Sequence, residues 1–291
     1  MKDELHIVTV ATESKYYFPY LVKSCRKNGK ELEILGMGEK WEGFNWKFKK
    51  MIEYLKKLPP HDIVCFIDGY DVICTRDTNE LKTAFIDMQQ KYNCKIIAGN
   101  DKVQSYLVQL FQYIFFGKCN NESLNSGTYI GYVNDLLEIV TKIYELNPLN
   151  DADDQVLMTK YCVANPQDIH IDVDSELFLT ICDSCNELDN HVQINKQTLL
   201  YNNRQPFFIH ANGFGYLDNV IKKLGYEYND NIKDQLFRDI FHKKILLYMK
   251  LFFIENMYLF LLLFVCIISY FIFIYINPPK LKYLMRRLHI I

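Results

Sequence analysis

Two carboxylates three residues apart, Asp68 and Asp71, close an apolar run, Ile63-Val64-Cys65-Phe66-Ile67, that reads as a buried strand. Gly69 and Tyr70 stand between them. Parallel sheets gather ligands at the carboxyl ends of their strands. Paired carboxylates there suit a hard divalent cation that also holds phosphate oxygens. His210 offers a third ligand: it ends the apolar run Phe207-Phe208-Ile209 and precedes Ala211-Asn212-Gly213. Neutral imidazole suits manganese better than calcium. Each feature also has a plainer reading. Asp-x-x-Asp is common as a capped turn, and a histidine in an apolar run is usually a packed core residue.

The elements that must position these groups alternate along the chain. Apolar runs at 5–11, 32–35, 62–67 and 95–98 read as strands. Helical spacing is read between Thr12 or Ser14 and Lys27, from Trp46 to Leu58, over 78–91 and over 135–146. Residues 102–117 read as a mostly helical aromatic stretch, and Asn125 to Tyr132 as a turn leading into a short strand. Asp151-Ala152-Asp153-Asp154 opens a further helix through Tyr161, with acidic residues at the positive end of the helix dipole. The region 169–210 is strand-like and irregular. Strands alternating with helices predict an α/β fold with a mainly parallel sheet.

The chain has 291 residues and a net charge of −2, so nucleic acid is not an expected partner. Met257 to Ile276 is twenty residues without a charge. That length matches a hydrocarbon core of about 30 Å. It predicts a membrane helix over 251–276, after a juxtamembrane connector at 227–250 and before a basic tail at 277–291 with Lys280, Lys282, Arg286 and Arg287. The expected localisation is a single-pass membrane protein with its folded domain in the cytosol, although basic residues flank both ends of the span. Nine cysteines, several in apolar runs such as those at Cys65 and Cys266, read as reduced, packed thiols. Cys182 and Cys185 form one close pair, with no second pair at zinc spacing.

Six pieces in one order resemble the glycosyltransferase domain of the procollagen lysyl hydroxylases. They are Val8 to Thr12, Leu35 to Gly43, Phe66 to Ile73, Leu124 to Tyr132, Asp153-Asp154-Gln155 and Ile209 to Gly213. The resemblance covers about residues 5–225 and implies a GT-A fold over 1–226, Rossmann-like, with a mainly parallel central sheet and flanking helices. It implies a UDP-sugar donor and Mn²⁺ held by Asp68, Asp71 and His210. Tyr70 and Trp41 match aromatics around the uridine, where ordinary packing is the plainer reading. Thr9 matches the nucleotide-binding loop, Lys47 a basic residue near the phosphates, and Asn212 and Gly213 the diphosphate-side turn. Asp153 and Asp154 match an acidic stretch linked to transfer, which otherwise reads as helix-start charge. Asn125 matches a position facing donor sugar or acceptor. The implied reaction moves glucose or galactose to a protein or glycan hydroxyl, collagen-like hydroxylysine among them. The sequence departs from the family in a shorter, less glycine-rich loop between Trp41 and Lys47, and no His-x-Asp iron motif follows residue 225. The rival expectation is a non-catalytic module that binds a nucleotide sugar or a partner at a membrane.

Overall fold

The computed structural model describes residues 3–101, 113–114, 116–181, 192–195, 198–212, 216–228 and 256–276, with single positions at 110, within 232–239, at 249 and within 283–287. In chain order the elements are β1 (Leu5–Val10), α1 (Phe18–Lys27), β2 (Leu32–Leu35), α2 (Trp46–Leu55), β3 (Ile63–Ile67), β4 (Val72–Cys74), α3 (Leu81–Tyr92), β5 (Ile96–Asn100) and β6 (Leu124–Tyr132). There follow α4 (Val133–Leu146), α5 (Asp154–Ala164), β7 (Ile169–Asp172), β8 (Phe178–Thr180), β9 (Val192–Asn195), β10 (Thr198–Tyr201), β11 (Phe208–His210), α6 (Asp218–Lys223) and α7 (Met257–Ile276). The expected helix over 102–117 falls largely outside the described residues.

A six-stranded sheet in the order β2-β1-β3-β6-β5-β7 forms the centre. The period of two along each strand decides which layer each residue joins. Val8, Val64 and Phe66 pack with Phe48, Met51 and Leu55 of α2 and with Leu136, Ile139 and Ile143 of α4. Ile7, Cys65 and Ile67 face the other way, onto Leu21 and Cys25 of α1 and Leu81 and Phe85 of α3. Both faces are covered, which is why these strands read as continuous apolar runs.

The expected sheet is mainly parallel; the observed one is mixed. β6 runs antiparallel to both neighbours, β3 and β5. Its opening Asn-Ser-Gly reads as a turn in the sequence but is the start of a nine-residue strand buried at its first eight positions. The reversal sets residues 125–127 beside the carboxyl end of β3, where the amide of Asp68 donates to the carbonyl of Gly127 at 2.8 Å. A second, three-stranded sheet, β4-β11-β8, pairs His210 with Val72, next to Asp71.

Helix ends differ from expectation in physical detail. α1 starts at Phe18 with Pro19 in its first turn, so neither Thr12 nor Ser14 caps it. Pro suits that place because its missing N–H would be unpaired anyway. Asp153 does cap α5, its Oδ1 accepting from the amide of Val156 at 3.0 Å.

Two expectations are corrected. Met257–Ile276 is helical and uncharged, but among the described residues no helix is long and apolar enough to cross a membrane. The membrane helix, the single-pass localisation and the membrane as a partner therefore do not stand. The reduced-thiol reading also fails in part, because Cys119 and Cys162 form a disulfide. Cys25, Cys65, Cys74 and Cys94 are free and buried, as expected; Cys182 and Cys185 lie outside the described residues. The chain divides into two compact units, residues 1–241 and 242–291.

Candidate active site

The carboxyl end of β3 delivers Asp68, the short link to β4 delivers Asp71, and β11 delivers His210. One ligand atom from each lies within 4.8 Å of the others. His210 is almost wholly buried, and its Nε2 lies 3.3 Å from Asp71 Oδ2 and 3.8 Å from Asp68 Oδ2 without making a hydrogen bond. Its Nδ1 lies 3.1 Å from Asn125 Oδ1. That oxygen also accepts the Gly127 amide at 2.9 Å, which marks it as an acceptor. The Nδ1–H of His210 therefore donates to Asn125, and this holds Nε2 toward the carboxylates. A polar atom orphaned in this way fits a metal ligand oriented by a neighbouring acceptor. Burial alone pulls the imidazole pKa down, but Asp71 and Asp68 outweigh it and hold it above the ordinary value.

Gly127 is required by this closeness. A Cβ there would collide with His210 Cε1 and Asp68 Oδ2. The need is steric and not conformational, since the residue does not sit at positive φ.

Lys47 stands behind the triad. Its buried ammonium lies 2.8 Å from Asp68 Oδ1 and 2.7 Å from Asp154 Oδ2. Burial disfavours its charge, but the Asp154 and Asp68 carboxylates more than offset that and raise its pKa, so it stays a cation. Asp154 is buried while Asp153 is exposed and bonded to its own helix; of the two, Asp154 joins the site. Asn212 donates through Nδ2 to Asp101 Oδ1 at 3.1 Å. Gly213 lies outside the described residues.

In front of the carboxylates opens a cavity of about 380 Å³, lined in part by Thr12, Trp41, Phe44, Lys47, Asp68 and Asp71. Tyr70 lines it too, and its hydroxyl accepts from the amides of Thr12 at 3.0 Å and Glu13 at 3.3 Å, which fastens the β1–α1 loop over the carboxyl end of β3. Trp41 is about 39% exposed and meets Phe44 and Trp46 edge to face. Thr9 is wholly buried beneath Gly69 and is not part of the lining.

Sequence reasoning missed several members. Asp101 follows β5 as Asp68 follows β3, and the same strand-end rule would have found it. It is buried, with Gln155 Nε2 at 3.2 Å and Asn212 Nδ2 at 3.1 Å, and burial raises its pKa against the pull of these donors. Tyr16, Phe44 and Leu236 line the cavity with no local signal to mark them.

Comparison with known proteins adds a family, two relatives and a solved structure. The family described as PLOD GT domain matches residues 1–226. Procollagen-lysine,2-oxoglutarate 5-dioxygenase of Drosophila melanogaster is 27% identical over 237 residues, covering 74% of this chain and 31% of that protein. The multifunctional procollagen lysine hydroxylase and glycosyltransferase of Caenorhabditis elegans is 24% identical, covering 75% of this chain and 32% of that protein. The chain thus spans about a third of the length of these curated relatives. Among solved structures, a glycosyltransferase involved in glycosylation of the major capsid of PBCV-1 superposes with a TM-score of 0.48 at 15% identity, covering 72% of this chain and 93% of that one.

Proposed function

The chain belongs to the PLOD GT domain family, and on that premise we propose that it transfers a hexose, glucose or galactose, from a UDP-sugar to a protein or glycan hydroxyl, with Mn²⁺ held by Asp68, Asp71 and His210. The observation that carries this reading is the orphaned Nε2 of His210 facing two carboxylates at the mouth of an aromatic-lined cavity. A divalent cation bound there supplies charge stabilisation to a diphosphate leaving group.

The protein's own residues do the rest. Asn125 fixes the imidazole tautomer. Lys47 holds Asp68 in place and brings a desolvated positive charge to the cavity wall, where developing phosphate charge is stabilised without reorganisation. Asp154 orients Lys47. Tyr70 and Trp41 offer apolar faces for a base, since any base has a π-face to stack. Asn212 and Asp101 present polar groups fixed against each other, suited to sugar or acceptor hydroxyls. The names of the relatives support a hydroxylysine of a collagen-like chain as the first acceptor to try.

The test is release of UDP from a panel of UDP-sugars by the full chain, with and without Mn²⁺, followed by transfer to hydroxylysine peptides. The expected result is turnover that needs a divalent cation and falls at least about a hundredfold in Asp68→Ala, the scale of losing a main charge-stabilising group. Turnover that persists in Asp68→Ala, or no turnover with any UDP-sugar, overturns the reading.

A further inference from the structure

The family match ends at residue 226, yet the cavity does not. Leu236 lines it, and it is buried at 7% exposure. The described positions between 232 and 239 are helical, and Ile232 packs with Leu236 into the same apolar cluster as Tyr17, Tyr20 and Leu217. Three residues past Leu236, Asp239 Oδ2 accepts a hydrogen bond from the Tyr16 hydroxyl at 2.7 Å.

Tyr16 is the residue through which this matters. It lines the cavity, and its ring meets that of Tyr70 edge to face, centroids 6.1 Å apart. Its backbone sits at φ 52°, a left-handed conformation that a bulky residue adopts only when its surroundings hold it there. Lys15 Nζ lies 5.2 Å from the Tyr16 ring centroid and 5.3 Å from that of Tyr70. Burial and Asp239 raise the hydroxyl's pKa, so Tyr16 keeps the proton it donates. The loop between β1 and α1 is therefore secured from two sides: by Tyr70 within the matched domain, and by Asp239 from beyond it.

We propose that the segment after the family-matched domain completes the donor pocket, Leu236 forming an apolar wall for the nucleoside and Asp239 positioning Tyr16 beside it. This rests on the transferase reading and adds to it a binding determinant lying outside the matched domain. Leu236 acts by contact; Asp239 is a positioning residue acting through Tyr16.

The experiment is calorimetric binding of UDP with Mn²⁺ to the full chain, beside KM and kcat for UDP-sugar turnover. Leu236→Ala is expected to weaken UDP about tenfold, as loss of part of one buried leucine would. Tyr16→Phe and Asp239→Leu should each weaken it about threefold to tenfold, the worth of one hydrogen bond. The double variant should be no worse than either single one, and the losses should fall on KM more than on kcat. Tyr16→Phe and Asp239→Leu barely change side-chain size, so they keep the test valid if Leu236→Ala folds poorly. Unchanged UDP affinity in Tyr16→Phe and Asp239→Leu, with binding still abolished in Asp68→Ala, overturns this inference alone. A wild-type chain that binds no UDP overturns it together with the transferase reading.

Discussion

Lys47 illustrates how one residue type in one place ties a fold to a reaction. An ammonium removed from water is costly unless it is paired, and here two carboxylates pair it. Deleting it leaves Asp154 buried and alone, so Lys47→Met should lower unfolding stability by about 3 kcal/mol, the cost of breaking a buried pair from one side. Adding Asp154→Asn removes the orphaned charge, and the double variant should lose less than the sum of the singles. Urea unfolding of the four proteins checks this; additivity within about 0.5 kcal/mol would show that the two are not coupled. Asp101 gives a residue-scale prediction in pH. Burial raises its folded pKa above the unfolded value near 3.8, so the folded form keeps its proton to higher pH. Stability from this group is then greatest below the unfolded pKa and declines as pH rises toward the folded pKa. Asp101→Asn lacks that titration. The wild-type stability minus the variant's should fall with rising pH across this window, and a flat or rising difference would contradict the assignment.

At the scale of elements, the reversed strand β6 does what no single residue could. Running antiparallel to β3, it carries its first residues back to the carboxyl end of that strand, so Asn125 reaches His210 and Gly127 leaves room for the triad. Gly127→Ala should cost at least about tenfold in Mn²⁺ affinity, the scale on which disturbed ligand positioning is felt. Metal titration followed by tryptophan fluorescence or calorimetry reads it, and an unchanged affinity would mean the triad is not the metal site. The disulfide from Cys119 to Cys162 joins the segment before β6 to α5, whose first turn carries Asp154, and spans 43 residues of sequence. Cys119→Ser/Cys162→Ser should lower stability by about 2–4 kcal/mol, as expected for a closed loop of this length; a thermal melt unaffected by the substitution or by reductant would speak against the bond. These same elements mark what a sequence can tell. Asp68 and His210 were legible because each ends an apolar run, and a strand end in an α/β sheet is a place for ligands. The direction of β6 was not, because a buried strand looks alike read either way and its Asn-Ser-Gly opening imitates a turn. Cys119 and Cys162 sit far apart in sequence and only the packing of α5 brings them together.

For the whole molecule, the issue is where the functional unit stops. The family match ends at residue 226, whereas the first compact unit runs to Phe241. The difference is fifteen residues that no motif marks, and helical propensity alone would not assign them to the domain. Two of their apolar members, Ile232 and Leu236, each 7% exposed, join the same cluster that backs α1 and α6. Burying two aliphatic side chains stabilises by roughly 3–6 kcal/mol as an upper bound. A chain ending at 226 should therefore melt several degrees below one ending at 241, which in turn should melt and bind UDP like the full chain. For a domain of this size about 1 kcal/mol moves the midpoint by about 2–4 °C, so the gap is well within reach of calorimetry. If the two truncated chains melt together and bind UDP equally, the unit ends with the family match and residues 227–241 are a connector. If the shorter chain loses both stability and nucleotide, the segment is part of the fold and of the pocket at once, because the side chains that pack it down are the ones that place Leu236 at the cavity wall.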